Sequence, residues 1–512
     1  MKRVQQKVHS AFSPRRQRMF LIAAGIALQF AIYVVLLVLF SQYFVYFYWI
    51  CVLVSLVMAL FISTWKSKLA YKIAWIIPIL LVPLIGGVMF IILGGARDPH
   101  YHREETRRTL KRQLPSRLST TDLMRYGPDA MQQAWYLGHA ALCPAYTNTE
   151  TAYFSSGASF FPNFLEELEQ AKDYIFLEYF IIDEGLMWGR ILEVLARKAA
   201  GGVDVRVMYD GTCEFSTLPR DYPKRLEALG IRCKVFAPVT PFVSTHYNYR
   251  DHRKILVIDG RVGFTGGVNL ADEYINHVEK YGRWKDAAVM LEGEGVRSMT
   301  ALFLQMWSVL QEPEFEQFLR PEVPAARAEG FVVPYGDCPL DGERVGEMVY
   351  IDLLNRARKY VHIITPYLIL DGELETALRF AAERGVDVHL ILPGVPDKQF
   401  AYALAKTHYK ALLSSGVKIS EWTPGFTHAK LVVMDGVEAV VGTINLDYRS
   451  LYHHFEDAVW MVDAPCIRDI EQDFQHTLEQ CRVVENTSAS IWQKNYLLRA
   501  TGMLLKVIAP LL

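Results

Sequence analysis

The chain opens with long apolar runs. No charged residue occurs between residues 19 and 65, and this stretch divides into Met19–Phe40 and Tyr43–Ile62. As a helix rising about 1.5 Å per residue, each run would be roughly 30 Å long, the thickness of the bilayer core. The pattern therefore predicts two membrane-spanning helices, in preference to a secretory signal or a buried soluble hairpin.

A third apolar run, Ile73–Gly94, contains Pro78 and Pro83 and predicts a kinked span or a segment that re-enters the interface. Basic residues crowd the first eighteen positions and return after the second run, so both places are expected on the cytoplasmic side. A third crossing would place the basic residues between positions 97 and 112 outside the cell, against the positive-inside trend. We expect a multi-pass protein of the cell membrane with a cytoplasmic body, and three crossings with an external body as the alternative.

From about residue 150 the pattern changes to short apolar runs that alternate with amphipathic stretches. Tyr174–Ile182 and Val203–Tyr209 predict buried strands, and Arg190–Ala200 between them has helical spacing. The second half repeats this order with a strand at Tyr360–Leu370 and a helix at Leu374–Arg384. The alternation predicts the α/β class, and the long period predicts two copies of one domain rather than a solenoid.

The predicted organisation has four parts: an anchor over residues 1–95, a charged linker over 96–150, and the two copies over 151–330 and 331–512. Lys and Arg number 54 against 55 Asp and Glu, so the basic field that nucleic-acid binding requires is absent from the chain as a whole. The seven cysteines include no C-x-x-C pair, which argues against a disulfide scaffold and a zinc-binding cysteine cluster.

Both copies carry the pattern H-x-K-x4-D-x6-G-[GT]-x-N. Its polar members are His252, Lys254, Asp259 and Asn269 in the first copy, and His428, Lys430, Asp435 and Asn445 in the second. Residues two apart on a strand share a face, so each histidine should lie beside its lysine. Two facing copies would place imidazoles on both sides of one phosphorus. A structural role is the usual explanation for a single histidine on a strand, but the duplication argues against it here.

These residues resemble the phospholipase D superfamily, whose mark is the duplicated H-x-K-x4-D motif. More specifically, the chain resembles bacterial cardiolipin synthases, through its hydrophobic N-terminal region and two runs: N-Y-R-D-H-R-K at Asn248–Lys254 and G-G-V-N-L-A-D-E-Y at Gly266–Tyr274. The resemblance covers about residues 150–512. It implies two tandem phospholipase D-like α/β domains that share one active site, preceded by N-terminal transmembrane helices.

The resemblance also implies a reaction in which two phosphatidylglycerol molecules give cardiolipin and glycerol. One histidine attacks the phosphodiester to form a phosphatidyl-histidine, and the other protonates the departing glycerol and then deprotonates the incoming hydroxyl. We favour His252 as the nucleophile. The two lysines, with Asn269 and Asn445, would hold the phosphate oxygens, and no metal or other cofactor is implied.

Further residues receive roles by the same resemblance. Asp286 and Glu456 are expected to orient the histidines, with surface acids as the alternative explanation. Asp259 and Asp435 are expected to organise the site rather than transfer protons. Glu178 and Tyr367 are candidate headgroup contacts. Asp251 departs from the expected pattern, because it puts a carboxylate beside the reactive strand.

The expected partners are phosphatidylglycerol and cardiolipin in the membrane, and not nucleic acid. Two related activities remain open: a membrane-bound phospholipase D-type hydrolase, and a transferase like phosphatidylserine synthase. A nuclease is disfavoured by the near-neutral charge. A catalytically dead membrane scaffold is disfavoured because both motifs are intact.

Overall fold

A computed structural model describes residues 14–39, 43–65, 68–91, 120–238, 249–308, 315–319, 328–485, 502, 505–507 and 509–511. Apart from Leu511, the described residues divide into an N-terminal unit up to residue 91 and a body from residue 120 onwards. Several sequence predictions lie outside the described residues: the basic residues before Pro14, the charged stretch 97–112, Asn248, and most of the C-terminal tail.

The described residues of the N-terminal unit form four helices: α1 Pro14–Leu39, α2 Phe44–Ser63, α3 Leu69–Leu81 and α4 Pro83–Met89. The first two coincide with the two predicted apolar runs. Among the described residues, one helical segment, Val45–Ser63, is long and apolar enough to cross a membrane, with a mean hydropathy of 2.5. The two crossings expected from the sequence therefore remain a prediction.

The third apolar run is broken in the structure. Val82 leaves the helical conformation, with φ −132° and ψ 77°, because the following Pro83 disfavours helical geometry at the residue before it. Gly86 then packs so closely that a Cβ atom there would lie 2.3 Å from the carbonyl oxygen of Pro78. The 13 residues of α3 rise only about 20 Å, which is shorter than the bilayer core.

The body begins with the elements of its first half. In chain order these are α5 Thr120–Met124, α6 Pro128–Ala140, β1 Thr149–Phe154, α7 Gly157–Gln170, β2 Tyr174–Tyr179, α8 Leu186–Ala200, β3 Asp204–Asp210, α9 Cys213–Ser216, α10 Tyr222–Ala228, β4 Arg232–Phe236, β5 Arg250–Asp251, β6 Lys254–Ile258, β7 Val262–Gly266, β8 Arg283–Lys285, β9 Ala288–Gly293, α11 Val296–Trp307 and α12 Phe315–Leu319.

The second half follows the same plan. Its elements are β10 Phe331–Asp337, α13 Val345–Arg356, β11 Tyr360–Ile364, α14 Gly372–Glu383, β12 Asp387–Pro393, α15 Gln399–Ser414, β13 Lys418–Trp422, β14 Gly425–Thr427, β15 Leu431–Met434, β16 Glu438–Gly442, α16 Tyr448–Tyr452, β17 His454–Val462, α17 Ile467–Leu478 and β18 Cys481–Val483.

Each half builds one mixed sheet, and the two strand orders correspond. The first sheet runs β1-β9-β7-β6-β2-β3-β4, and the second runs β10-β17-β16-β15-β11-β12-β13 with β18 at its edge. In the first sheet β2, β3 and β4 are parallel to one another, and in the second β11, β12 and β13 are. The remaining neighbours in both sheets pair antiparallel. The predicted α/β class is confirmed, and the two sheets share one strand order.

The sheets pack through a shared hydrophobic core. In this central layer the first sheet contacts α11 and the second sheet contacts α17. The layer includes Phe176, Phe303, Ile364 and Phe474. The outer face of the first sheet is covered by α7 and α8, and the outer face of the second by α13 and α14. Because both faces are buried, the central strands are mainly apolar rather than alternating, with Glu178 on β2 as an exception.

Two short strand pairs join the halves near the motif histidines. β5 of the first half pairs with the start of β17, and β14 of the second half pairs in parallel with β8. As a result, the backbone N–H of His252 donates to the carbonyl of Phe455 at 2.9 Å, and that of His428 donates to the carbonyl of Lys285 at 2.7 Å. Each motif histidine is therefore held against a strand of the opposite half.

Candidate active site

Each motif histidine is oriented by a carboxylate from the other half. Nδ1 of His252 lies 2.8 Å from Oε2 of Glu456, and Nδ1 of His428 lies 2.8 Å from Oδ2 of Asp286. With the carboxylates accepting from Nδ1–H, the Nε2 atom of each neutral imidazole keeps its lone pair. The two acids expected from the sequence are thus paired with the histidines, and the pairing crosses between the halves.

Burial and charge decide the protonation of these four groups. Burial lowers the pKa of His428 to about 4 and that of His252 well below its usual value, and the neighbouring lysines act in the same direction. Burial alone would raise the pKa of both carboxyls, but the facing imidazoles reverse this and leave it lowered. The site therefore holds two carboxylates and two neutral imidazoles at pH 7.

The two motif lysines are buried and lie close together. Each Nζ donates to the carbonyl of its own motif histidine, for Lys254 at 2.6 Å. Burial lowers the pKa of Lys254 to about 8 and that of Lys430 to about 7, and the charge of Lys254 contributes to the lowering at Lys430. Two cations confined in this way create a site for an anion such as a phosphodiester.

The residues after each motif hold the orienting acids in different ways. Gly267 has no side chain because a Cβ atom there would lie 2.0 Å from Oδ1 of Asp286. At the equivalent position Thr443 donates its hydroxyl proton to Oε2 of the longer Glu456. The orienting acid is therefore accommodated in two ways: Gly267 leaves space for Asp286, and Thr443 hydrogen-bonds Glu456.

The two motif asparagines differ in their contacts. Asn269 accepts from the backbone N–H of Ile181 at 3.1 Å and donates to the hydroxyl of Tyr274 at 2.7 Å. The Oδ1 atom of Asn445 is buried without a hydrogen-bond partner among the described residues. Asn269 is therefore engaged in supporting the surrounding loops, whereas Asn445 retains an unused acceptor.

The motif aspartates lie at the far end of their strands from the histidines. The five residues of β6 separate Lys254 from Asp259 by about 16 Å of strand. Asp259 accepts three backbone N–H bonds at 2.8–2.9 Å at the start of β2, and Asp435 accepts three at 2.8 Å at the start of β11. Both adopt positive φ, 53° and 54°. They fix the ends of adjacent strands and do not meet the reacting groups.

Glu178 has a different place from the one expected of a headgroup contact. Its side chain is 0% exposed, and burial together with the charge of Asp251 raises its pKa well above the usual value. Both carboxyl oxygens of Glu178 and Oδ2 of Asp251 are buried without a hydrogen-bond partner among the described residues. The charge of Arg253 lowers the pKa of both acids, against the effect of burial. Glu178 therefore belongs to a buried acid pair beneath the His252 strand.

Tyr367 lines a small pocket beside the second motif. Its hydroxyl donates to Oδ2 of Asp397 at 2.5 Å, and the Lys398 ammonium lies 5.0 Å from the centre of its ring. Phe426, whose ring is 5.9 Å from that of His428, forms the side of the pocket nearest that histidine. The pocket therefore combines aromatic walls with a carboxylate and a cation.

A third histidine, His454, lies beside the His252–Glu456 pair and was not predicted as a site residue from the sequence. Its ring centroid lies 5.3 Å from that of His252, and its Nδ1 lies 3.4 Å from Oε1 of Glu456. His454 and Glu456 are two residues apart on β17, so strand alternation alone could have placed both on one face. His252, His454 and Glu456 form a buried group whose ligand atoms lie within 4.8 Å of one another.

This arrangement provides what a two-step displacement at phosphorus requires. One imidazole can attack with its free Nε2, the other can carry the proton of the departing or incoming hydroxyl, and two ammonium groups can neutralise the phosphate. The mixed sheets and the duplicated motif together define the phospholipase D-like α/β fold.

Comparisons with known proteins agree with this class. The family described as "Cardiolipin synthase, PLD-like domain" matches residues 164–307 and 350–478, more than half of the chain. A cardiolipin synthase of Geobacillus kaustophilus is 30% identical over 466 residues, which cover 89% of this chain and 91% of the relative. The chain therefore belongs to the cardiolipin synthase family of phospholipase D-like proteins.

Two further similarities concern sequence and fold. An uncharacterised protein of Streptococcus mutans is 58% identical over 380 residues, which cover 74% of this chain and 82% of that protein. The crystal structure of phosphatidylserine synthase from Haemophilus influenzae matches with a TM-score of 0.58, at 16% identity, over 74% of this chain and 99% of that one. The second match supports the fold alone.

Proposed function

We propose that the chain is a cardiolipin synthase that transfers a phosphatidyl group from one phosphatidylglycerol to another and releases glycerol. The observation that carries this proposal is the crossed pairing of His252 with Glu456 and of His428 with Asp286. It leaves two neutral imidazoles beside two buried lysines, in a family whose members include proteins named cardiolipin synthase.

In the proposed reaction, Nε2 of His252 attacks the phosphorus of the first phosphatidylglycerol. The P–O bond to glycerol breaks, and His428, protonated in the complex with substrate, gives its proton to the departing oxygen. His428 then takes the proton of a hydroxyl on the second phosphatidylglycerol, and that oxygen displaces His252 from phosphorus. Lys254 and Lys430 neutralise the phosphate throughout, and Asn445 has the free acceptor that can bind a headgroup hydroxyl.

The two halves act in this proposal as tandem domains with one shared active site, because neither half orients its own histidine. Tyr367 and Asp397 are proposed to contact the glycerol of a headgroup. The pocket supports this, since a carboxylate can accept hydrogen bonds from glycerol hydroxyls and the ring of Tyr367 can pack against the carbon chain.

The direct test uses the full-length protein in mixed micelles with phosphatidylglycerol labelled in its headgroup glycerol and, separately, in its acyl chains. Cardiolipin with an equal release of free glycerol supports the proposal. Phosphatidic acid as the sole lipid product would instead establish the hydrolase. A product that contains serine, formed only when serine is added, would establish the phosphatidylserine synthase-like alternative.

A membrane anchor with two crossings and a broken third segment is part of the proposal. It is supported by the apolar surface of α1 and α2 and by the break at Val82. Deletion of residues 1–95 should leave a folded body with reduced activity on bilayer substrate. Loss of a cooperative unfolding transition, measured by circular dichroism, would show that the boundary at residue 95 is wrong.

A cytoplasmic body is proposed from the distribution of basic residues. The buried cysteines are protected, so serine need replace only Cys51, Cys233 and Cys481 before a reporter cysteine is introduced at Leu110. The reporter should resist a membrane-impermeant thiol reagent in intact cells and react after lysis. Labelling before lysis would mean three crossings and an external active site.

A further inference from the structure

A third imidazole stands beside the His252–Glu456 pair. Nδ1 of His454 is buried and makes no hydrogen bond in the described part of the chain, although it lies 3.4 Å from Oε1 of Glu456. At the equivalent position of the other half stands Trp284, whose indole N–H lies 3.5 Å from Oδ2 of Asp286. An indole N–H cannot ligate a metal ion, so His454 adds a possible metal ligand beside Glu456 that Trp284 cannot provide beside Asp286.

We propose that His252, His454 and Glu456 form a binding site for a divalent transition metal ion of the zinc class, and that its occupancy prevents His252 from acting as a nucleophile. Two imidazoles and a carboxylate are a ligand set that Zn²⁺ uses in proteins. The three ligand atoms lie within 4.8 Å of one another, so one ion can reach all of them after small side-chain movements.

The surroundings of the three ligands support the assignment. Thr443 donates its hydroxyl proton to Oε2 of Glu456, and such an outer contact typically fixes a ligating carboxylate. Mg²⁺ and Ca²⁺ prefer sites made of oxygen ligands and should bind poorly to this set. The Lys254 ammonium donates to the carbonyl of His252 at 2.6 Å, so a metal ion bound by His252 meets the repulsion of a second cation. We therefore expect reversible binding, weaker than at a structural zinc site.

The switch follows from the position of one proton. Without metal, His252 carries its proton on Nδ1, directed at Glu456, and Nε2 has a free lone pair. A metal ion bound to Nδ1 takes the place of that proton, which passes through solvent to Nε2. The imidazole stays neutral and no electron is transferred, but the lone pair that attacks phosphorus is lost. This consequence rests on the proposed function, whereas metal binding itself does not.

The test measures binding and activity separately on tag-free, full-length protein in detergent. Co²⁺ is titrated by its visible absorption, and Zn²⁺ is measured by its competition for the Co²⁺ site. We expect one ion per chain in the wild type. His454→Asn should weaken binding by at least about tenfold, since even outer-contact changes cost 10–100-fold. His453→Asn removes the adjacent imidazole, which lies outside the ligand set, and should bind like the wild type.

Cardiolipin formation is then compared with and without Zn²⁺ within each variant. Zn²⁺ should inhibit the wild type and His453→Asn, a chelator should restore activity, and His454→Asn should resist inhibition.

Unchanged Co²⁺ binding in His454→Asn would overturn the site. So would loss of binding in His428→Asn but not in His454→Asn, because the ion would then bridge the two motif histidines. Binding without inhibition would overturn the switch. Metal binding that depends on His454, in a protein inactive under all conditions, would leave the site standing and defeat the proposed function instead.

Discussion

The two halves of the body share a strand order and a motif, yet they support their motif histidines differently. Beneath His252 lies a buried network of charged residues. Its members are Glu178, Asp210, Arg250, Asp251, Arg253 and Asp457. Strand register and motif spacing place Ile364, Pro393, Phe426, Thr427, Ala429 and Ala287, respectively, at the equivalent positions around His428. One histidine thus rests on charges and the other on apolar packing.

The contacts show what the charged network does. Asp210 accepts the backbone N–H of Asp251 at 3.1 Å and lies 3.5 Å from Nη1 of Arg250. Asp457 accepts the backbone N–H of Lys254 at 3.2 Å and the hydroxyl proton of Thr265 at 2.6 Å. Directional bonds therefore fix the backbone on both sides of His252.

The second half replaces these bonds with aromatic contacts. Phe426 packs 5.0 Å from Trp284 and 5.9 Å from His428, measured between ring centres. Ring contacts restrict orientation less than hydrogen bonds to the backbone do. The two motif histidines thus carry the same reacting group on different supports, so they are not equivalent.

The largest expected effect tests whether the two histidines differ in role. With a nitrophenyl phosphodiester lipid, whose leaving group needs little acid help, His428→Ala should accumulate a covalent phosphatidyl adduct and His252→Ala should not. Turnover of phosphatidylglycerol should be lost in His252→Ala and should fall roughly 10²–10⁴-fold in His428→Ala, the usual contribution of proton transfer. Intact-protein mass spectrometry after rapid quench detects the adduct. An adduct on His428 in the His252→Ala protein would reverse the assignment.

The second prediction tests the crossed pairing of the acids. Glu456→Gln should impair adduct formation because it disturbs His252, whereas Asp286→Asn should permit adduct formation and impair its release. Each change should lower turnover by roughly 10²–10⁴-fold, because a carboxamide cannot stabilise the imidazolium that forms. Single-turnover kinetics with the nitrophenyl substrate separate the two steps. If the two variants exchanged behaviour, each acid would serve the histidine of its own half.

The repeat, the α/β class and the two motifs could be predicted from local spacing in the sequence, whereas the two orienting acids were expected only from the family resemblance. The sequence did not predict which acid orients which histidine. That pairing depends on β5 and β14 crossing to the opposite half, and two- and three-residue strands leave no periodic signal.

The departures at Glu178 and Asp251 were visible in the sequence, but their meaning was not. A carboxylate on an apolar strand suggested a ligand contact, and only the fold brings Asp251 close enough for its charge to raise the pKa of Glu178. The broken third apolar run was better anticipated, because Pro83 restricts the preceding residue whatever the tertiary context.

The third prediction tests the charged network through stability. Arg253→Ala removes the cation that faces Glu178, Asp251 and Asp457, and breaking a buried charge set by removing one partner typically costs about 3–5 kcal/mol. Arg358→Ala, at an 82% exposed side chain, should change the free energy of unfolding by less than about 0.5 kcal/mol. Denaturant titration in detergent, followed by tryptophan fluorescence, measures both.

The residues at the equivalent positions around His428 provide the matched test of the same network. A quadruple variant with Glu178→Ile, Asp251→Thr, Arg253→Ala and Asp457→Ala should lose less stability than the sum of the four single changes, because no charge is left buried alone. Additive losses would mean that the four groups act independently and form no network.

The smallest expected effect concerns the two motif lysines. Burial lowers the pKa of Lys430 to about 7 and that of Lys254 to about 8, so Lys430 of the free protein loses its charge first as the pH rises. A neutral amine no longer attracts phosphate, and kcat/KM should therefore fall above pH 7, by at most about tenfold per pH unit for each amine. The value of kcat should change less, because bound phosphate restores the protonated form.

Lys430→Arg stays charged and should move the alkaline fall in kcat/KM towards pH 8, whereas Lys254→Arg should leave that fall near pH 7. Circular dichroism at each pH controls for unfolding. The same alkaline limb in both variants would show that the two halves do not differ at their lysines.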